Sequence, residues 1–367
     1  MPDLYNVVDE LREMLFGKNP DSFAQSARAG AFGASLDNGM IHLPPRYLML
    51  KVTNRCNSNC CYCGHAESKA RQEIKSDIRF DVLERTIIQA AELGVSAATI
   101  SGGEPLLRND IPQLLRAMLS HSILPVLLTN GLLLPQKWRS LSEAGLRYLI
   151  ISIDSLNPDV YRLHRGAELS EALRGLDAAI AMRDCDNTVK IHITAVLTKH
   201  NIAEMPDFVR FMSERGIAVQ FSPYHHYNQR LEDVLSPHEE SVVRGAMEEL
   251  LRMKAEGYRI AGTAAFLSHI PDFFLNCQRI PEGYHCLSGY LATYVDAYGN
   301  VLPCWSSSFQ PLGNLAQQSL KEIWFSEAYA QIRKKMFQCA CEGCWYLCTG
   351  ELTTLYNEEG GAYERML

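Results

Sequence analysis

Between residue 47 and residue 256 two hydrophobic periods take turns along the chain. Short runs of Val, Ile, Leu and Thr at 47–53, 98–101, 124–129, 148–153, 189–196 and 218–223 read as strands. Stretches with apolar residues three and four apart, at 80–93, 111–121, 135–144, 170–183, 205–215 and 237–256, read as amphipathic helices. Apolar strands alternating with helices predict an α/β fold, a parallel sheet covered by helices. Right-handed crossovers would curl that sheet into a barrel or a six-unit partial barrel. A doubly wound open sheet is the alternative, but no Gly-x-Gly-x-x-Gly dinucleotide turn follows a strand. In either case ligands belong at the C-terminal ends of the strands.

The rhythm stops past residue 260, where Gly, Pro, Cys and aromatic residues rise. Residues 291–295 and 300–302 predict a hairpin around Asp296-Ala297-Tyr298-Gly299-Asn300. One helix is expected through Leu320, Ile323, Trp324, Ile332 and Met336. Before the first strand lies one amphipathic helix, 4–16, then a Gly/Ala/Ser-rich stretch too short for a separate peptide-recognition domain. The expected division is an N-terminal extension (1–45), a barrel (46–260), a linker (261–285) and a small C-terminal domain (286–367).

Composition narrows the class. A hydrophobic share of 47% over 367 residues supports a sizeable core. A net charge of −7 gives no basic surplus for nucleic acid. No 18-residue apolar run predicts a membrane span, and the start of the chain lacks a signal-peptide pattern, so a cytoplasmic enzyme is expected. In a reducing compartment the 12 cysteines point to metal rather than disulfides.

Two groups of cysteines carry that chemistry. Cys56-x-x-x-Cys60-x-x-Cys63 leaves the first strand, offering three soft thiolates at tight spacing. Three ligands on a four-iron cube leave one iron open, whereas zinc sites show paired knuckles and four ligands. Cys61 should point away from Cys60. The second strand ends in Gly102-Gly103-Glu104-Pro105. The triplet followed by this turn resembles the radical S-adenosylmethionine (SAM) enzymes.

That resemblance implies that Cys56, Cys60 and Cys63 hold a 4Fe-4S cluster whose open iron chelates SAM. It also implies that a 5′-deoxyadenosyl radical then abstracts hydrogen from substrate. Gly102, Gly103, Glu104 and Pro105 would approach the SAM ammonium, the glycines permitting close backbone contact. Tyr62 falls where the family places a residue near the adenine. Ser152 and Asp154, at the end of the fourth strand, fall where it holds the ribose; the alternative for Asp154 is a turn cap. Asn130 faces the same rim as a cofactor contact or a plain Asx turn.

The chain from Cys286 to about Glu351 is similar to the SPASM and twitch extensions of that family. The elements in order are Cys286-x12-Gly299-x4-Cys304, Gly313-Asn314, the Trp324 helix and Cys339-x-Cys341-x-x-Cys344-x-x-x-Cys348. The resemblance implies one auxiliary 4Fe-4S cluster on Cys286, Cys304, Cys341 and Cys344, with Cys348 able to replace one of the last pair. A structural zinc on the same four is the alternative. Cys185 and Cys277 are expected as buried free thiols. His225 and His226 stand at the barrel rim as substrate or proton-shuttle candidates.

The function expected is a radical SAM oxidoreductase that dehydrogenates a small molecule of the sugar or aminoglycoside type, fed by a flavodoxin- or ferredoxin-type reductant. A radical epimerase or dehydratase, or a ribosomal-peptide maturase, is the alternative. A non-enzymatic iron–sulfur electron carrier is more remote, because it needs neither an open iron nor the Gly-Gly-Glu-Pro turn.

Overall fold

The computed structural model describes residues 44–63, 77–186, 189–225, 235–276, 284–305, 309–338, 340–341, 344–346, 350–351 and 354. The helix expected at 4–16, and His226, Cys277, Cys339 and Cys348, lie outside the described residues.

Six strand–helix units run in sequence. They are β1 (Tyr47–Lys51), α1 (Phe80–Leu93), β2 (Ala97–Ser101), α2 (Ile111–Ser120), β3 (Leu124–Thr129), α3 (Leu134–Glu143) and β4 (Tyr148–Ser152). They continue with α4 (Pro158–Arg165), α5 (Leu169–Asp186), β5 (Lys190–Leu197), α6 (Met205–Ser213), β6 (Ala218–Pro223) and α7 (Glu240–Ala255). Helix α4 is an addition to the expected pattern. Asn157 caps its start by accepting from the Asp159 and Val160 amides, and Gly166 ends it in the left-handed region at φ +60°.

The stretch expected as a linker carries α8 (Ala264–Ser268) and α9 (Ile270–Leu275). Then come α10 (Ser288–Leu291), β7 (Ala292–Val295), β8 (Asn300–Leu302) and β9 (Gly313–Asn314). The single helix expected around Trp324 is two, α11 (Leu320–Trp324) and α12 (Glu327–Phe337). Ser326 divides them because its side chain accepts from the Tyr329 amide and starts a new helix.

The described strands form one nine-stranded sheet in the order β6-β5-β4-β3-β2-β1-β7-β8-β9. Neighbours from β6 through to β7 are parallel, and β8 and β9 are antiparallel additions. The sheet does not close, so the expected partial barrel stands, with the C-terminal hairpin continuing its β1 edge. No helix of the described residues is long and apolar enough to cross a membrane.

The strand pleat separates two faces. Leu48, Leu50, Ile100, Leu127, Leu149, Ile151 and Ile193 are buried and belong to the same core as Leu83, Ile87, Leu115, Met118, Leu176 and Phe208 of the covering helices. On the opposite face Tyr47, Met49, Lys51, Tyr148, Ile150, Lys190 and Thr194 are only half-buried. The interior face of the partial barrel therefore carries polar groups, some half-buried and others, such as Thr99, His192 and Gln220, buried.

Candidate active site

The C-terminal ends of β1 to β4 converge on one cavity. It is lined by the loop residues Cys56, Ser58, Asn59, Cys60, Tyr62 and Cys63, by Ser101, Gly102 and Gly103 after β2, and by Leu128, Thr129, Asn130, Ser152 and Arg165. Cys61 is not on this wall, consistent with its expected outward direction. Glu104, Pro105 and Asp154 are not on it either.

The cysteine loop is pinned from three sides. After β2, the Gly103 amide donates to the Thr53 carbonyl at 2.7 Å and the Glu104 amide to the Arg55 carbonyl at 2.7 Å. After β3, Asn130 Nδ2 donates to Asn57 Oδ1 at 2.7 Å and to Ser58 Oγ at 3.0 Å. From the end of α4, the Arg165 and His164 carbonyls accept from the Asn59 and Cys61 amides. Asn130 Oδ1 also accepts from the Leu132 amide, so the Asx turn and the rim position coexist.

The glycines are explained by this packing. A Cβ at Gly103 would lie 2.2 Å from the Arg55 carbonyl oxygen, and one at Gly102 would lie 2.6 Å from that of Thr53. Close approach of the two loops, rather than of a ligand to the backbone, is what excludes side chains there.

Both carboxylates expected to touch SAM face inward. Glu104 is fully buried and accepts from the Leu106 amide, the Thr129 hydroxyl and the Asn130 amide. Burial raises its pKa while those three donors oppose the rise. Asp154 is equally buried and takes both ends of the Arg165 guanidinium at 2.6 Å. It also accepts from the Tyr62 hydroxyl at 2.5 Å and the Val196 amide at 2.9 Å. Its oxygens are thus committed one layer behind the cavity. Arg165 reaches the wall in its place, 5.4 Å over the Tyr62 ring and 4.0 Å from Cys60 Sγ. The α4 caps were readable in the sequence, but nothing local said that the helix's last residue would return to the cysteine loop.

The three thiols lie within electrostatic reach of one another, and burial, eased by Arg165, pushes Cys60 up to about 11. Cys286, Cys304, Cys341 and Cys344 form the second group. Burial first, then its three companions, hold the Cys286 thiol well above its ordinary value. None of these cysteines is in a disulfide. Among the described residues no three such side chains already stand in coordinating geometry, so each set is gathered rather than closed. Thiols crowded in buried positions are poor anions alone and become stable thiolates on metal, so both sets fit a soft metal centre. Cys185, expected buried, is exposed. His225 is buried against Tyr346 and Phe273 and accepts from the Trp345 amide at 3.3 Å.

Residues 50–212 match the model of the Radical SAM superfamily, and residues 286–345 match SPASM, an iron–sulfur cluster-binding domain. The chain belongs to the radical SAM superfamily. Its cofactors are accordingly a SAM-binding 4Fe-4S cluster, SAM itself and an auxiliary iron–sulfur cluster.

The GTP 3′,8-cyclase of Alkaliphilus oremlandii is 34% identical over 178 residues, 48% of this chain and 55% of the relative. The chain thus spans about half the length of the first curated relatives it matches. The PqqA peptide cyclase of Xanthomonas campestris pv. campestris is 29% identical over 321 residues, 82% of this chain and 79% of the relative. The fold is that of Streptococcus suis SuiB bound to S-adenosylmethionine, with a TM-score of 0.65 at 21% identity over 89% of this chain and 79% of that one.

Proposed function

We propose that this chain is a peptide-modifying radical SAM enzyme whose SAM-cleaving cluster sits on Cys56, Cys60 and Cys63. That group, when bound, supplies one electron to the SAM sulfonium and so a carbon radical able to take hydrogen from an unactivated position. The chain's own residues bind and orient. Ser101, Gly102 and Gly103 line the cavity beside the thiols, where the glycine backbone would meet an ammonium. Ser152, also on the lining, offers a hydrogen bond to a hydroxyl, while Asn130 ties the cysteine loop to the β3 turn. Glu104 and Asp154 act behind them, the first fixing the β3 turn and the second fixing Arg165 and Tyr62. Cys286, Cys304, Cys341 and Cys344 would hold the auxiliary cluster, with a flavodoxin- or ferredoxin-type protein as electron donor.

The extent of one match carries the peptide reading. The PqqA peptide cyclase alignment is long enough to draw on both the barrel and the C-terminal region. The 178-residue GTP 3′,8-cyclase match is too short to reach from residue 50 to residue 345. Dehydrogenation of a sugar-like molecule draws less support, because these named relatives are cyclases.

The reconstituted protein, reduced with dithionite, should form 5′-deoxyadenosine from SAM, and C56A/C60A/C63A should form none. Short peptides encoded beside the gene, co-expressed with the wild type, should change mass, and with the triple variant should not. A peptide left unaltered by an enzyme that still cleaves SAM would sink the substrate class while sparing the chemistry.

A further inference from the structure

The described sheet is open, and its two ends carry different chemistry. At one end Cys286 precedes α10 and β7, and Cys304 follows β8. At the other end β6 takes one further bridge, between Val219 and Ile260, and the chain then runs into Thr263, the cap of α8.

Trp345, the residue after Cys344, touches both ends. It is buried, and its ring meets Tyr284, two residues before Cys286, edge-on at 5.2 Å. On the β6 side the same ring is stacked on Phe266 at 5.5 Å, and its Nε1 donates to the Phe266 carbonyl at 2.9 Å. Its backbone amide donates at 3.3 Å to Nε2 of His225, two residues past the end of β6. The Tyr346 ring then covers His225 at 3.7 Å. A second tie lies farther along the chain. The buried Glu351 carboxylate accepts from the Thr263 amide at 2.7 Å, and the Thr263 hydroxyl donates to that of Thr354 at 3.1 Å. Buried polar groups are costly to leave unmatched, so these bonds fix where the residues after Cys344 lie.

We propose that the auxiliary centre is a clasp between the two ends of the open sheet, with His225 and Trp345 as the positioning residues that carry its Cys344 corner onto the β6 rim. The inference rests on Cys286, Cys304 and Cys344 holding that centre. A metal held by segments far apart in sequence restrains both, and its binding energy becomes folding energy for whatever it joins. Such coupling is reciprocal: the cluster steadies the β6 edge, and the β6 edge helps to retain the cluster. His225, with Nε2 taken up by the Trp345 amide, acts through the neighbour of a ligand rather than on substrate.

The test uses the reconstituted full chain, with electron paramagnetic resonance to follow the two clusters and hydrogen exchange to follow the sheet. C56A/C60A/C63A and C286A/C304A assign the two signals by which one each loses. If C286A/C304A keeps both, the ligand assignment fails, and the clasp falls with it for that separate reason. With the signals assigned, C286A/C304A should lose exchange protection at β6 and at residues 259–268 while keeping it at β2 to β4. H225F keeps a ring against Tyr346 but removes the acceptor, and it should lose the auxiliary signal with the barrel signal intact. H225Q, whose side-chain oxygen can stand where Nε2 does, should regain it. Unchanged protection at the β6 edge in C286A/C304A would overturn the inference, as would a wild-type auxiliary signal in H225F. Should C286A/C304A lose protection throughout the sheet, the His225 pair decides: selective loss in H225F with recovery in H225Q supports the clasp, and equal loss of both signals or no recovery overturns it.

Discussion

At Asp154 a single carboxylate orders three elements. It joins Arg165 at the end of α4, Tyr62 in the cysteine loop and the Val196 amide on β5. With the Asp154 side chain fully buried and that of Arg165 only 9% exposed, removing one partner leaves an unpaired interior charge. D154N should therefore lose about 3–5 kcal/mol in denaturant unfolding. SAM affinity should fall with it, since Arg165 and Tyr62 lose their positions; a variant of wild-type stability would show that the pair is dispensable. Gly103 is the steric counterpart. Because its absent Cβ is replaced by the Arg55 carbonyl, G103A must displace the cysteine loop. Its expected signature is loss of iron from the barrel set alone, to about four irons per chain from about eight, counting four per cluster. Full iron content in G103A would mean that the loop has slack.

Among the elements, the α11–α12 pair shows how one hydroxyl overrides a continuous apolar pattern. Ser319 opens α11 with a reciprocal capping box to Glu322, and Ser326 opens α12. The apolar spacing through Trp324 and Met336 does not reveal the break, because both helices turn the same kind of face to the core. S326A should cost about 1 kcal/mol, read as a lower denaturation midpoint with unchanged iron content. Helix α4 makes the complementary point. Its caps are local, but the carbonyls of its last turn are satisfied by Asn59 and Cys61 amides about a hundred residues earlier.

For the molecule as a whole, a histidine buried on the sheet couples stability to pH. His192 on β5 is almost fully buried, and burial, with Lys190 and Arg259 adding to it, lowers its pKa to about 4. Its Nδ1 has no hydrogen-bond partner among the described residues. Between that value and the ordinary 6.5 the unfolded chain binds a proton that the native chain refuses, so stability falls as pH drops through this window. From pH 8 to pH 5.5 this histidine alone should remove about 1.4 kcal/mol. H192Q should flatten the pH dependence of the denaturation midpoint by that amount; a wild-type slope in H192Q would assign the effect elsewhere.

The strand–helix rhythm, the partial barrel, the two cysteine groups and the turn after β2 were all legible in the sequence. Each is written in local periodicity or in spacing along a few residues. The roles of Glu104 and Asp154 were not. The Gly-Gly-Glu-Pro turn and the pleat of the fourth strand aimed them at the ligand side, but whether a carboxylate faces ligand or protein depends on donors that arrive from β3, α4 and β5. Nor could the sequence show that β7 would extend the β1 edge, or that Arg165 would reach Cys60. These are contacts between segments far apart in the chain, decided by which backbone amides and buried charges remain to be satisfied once the sheet has formed.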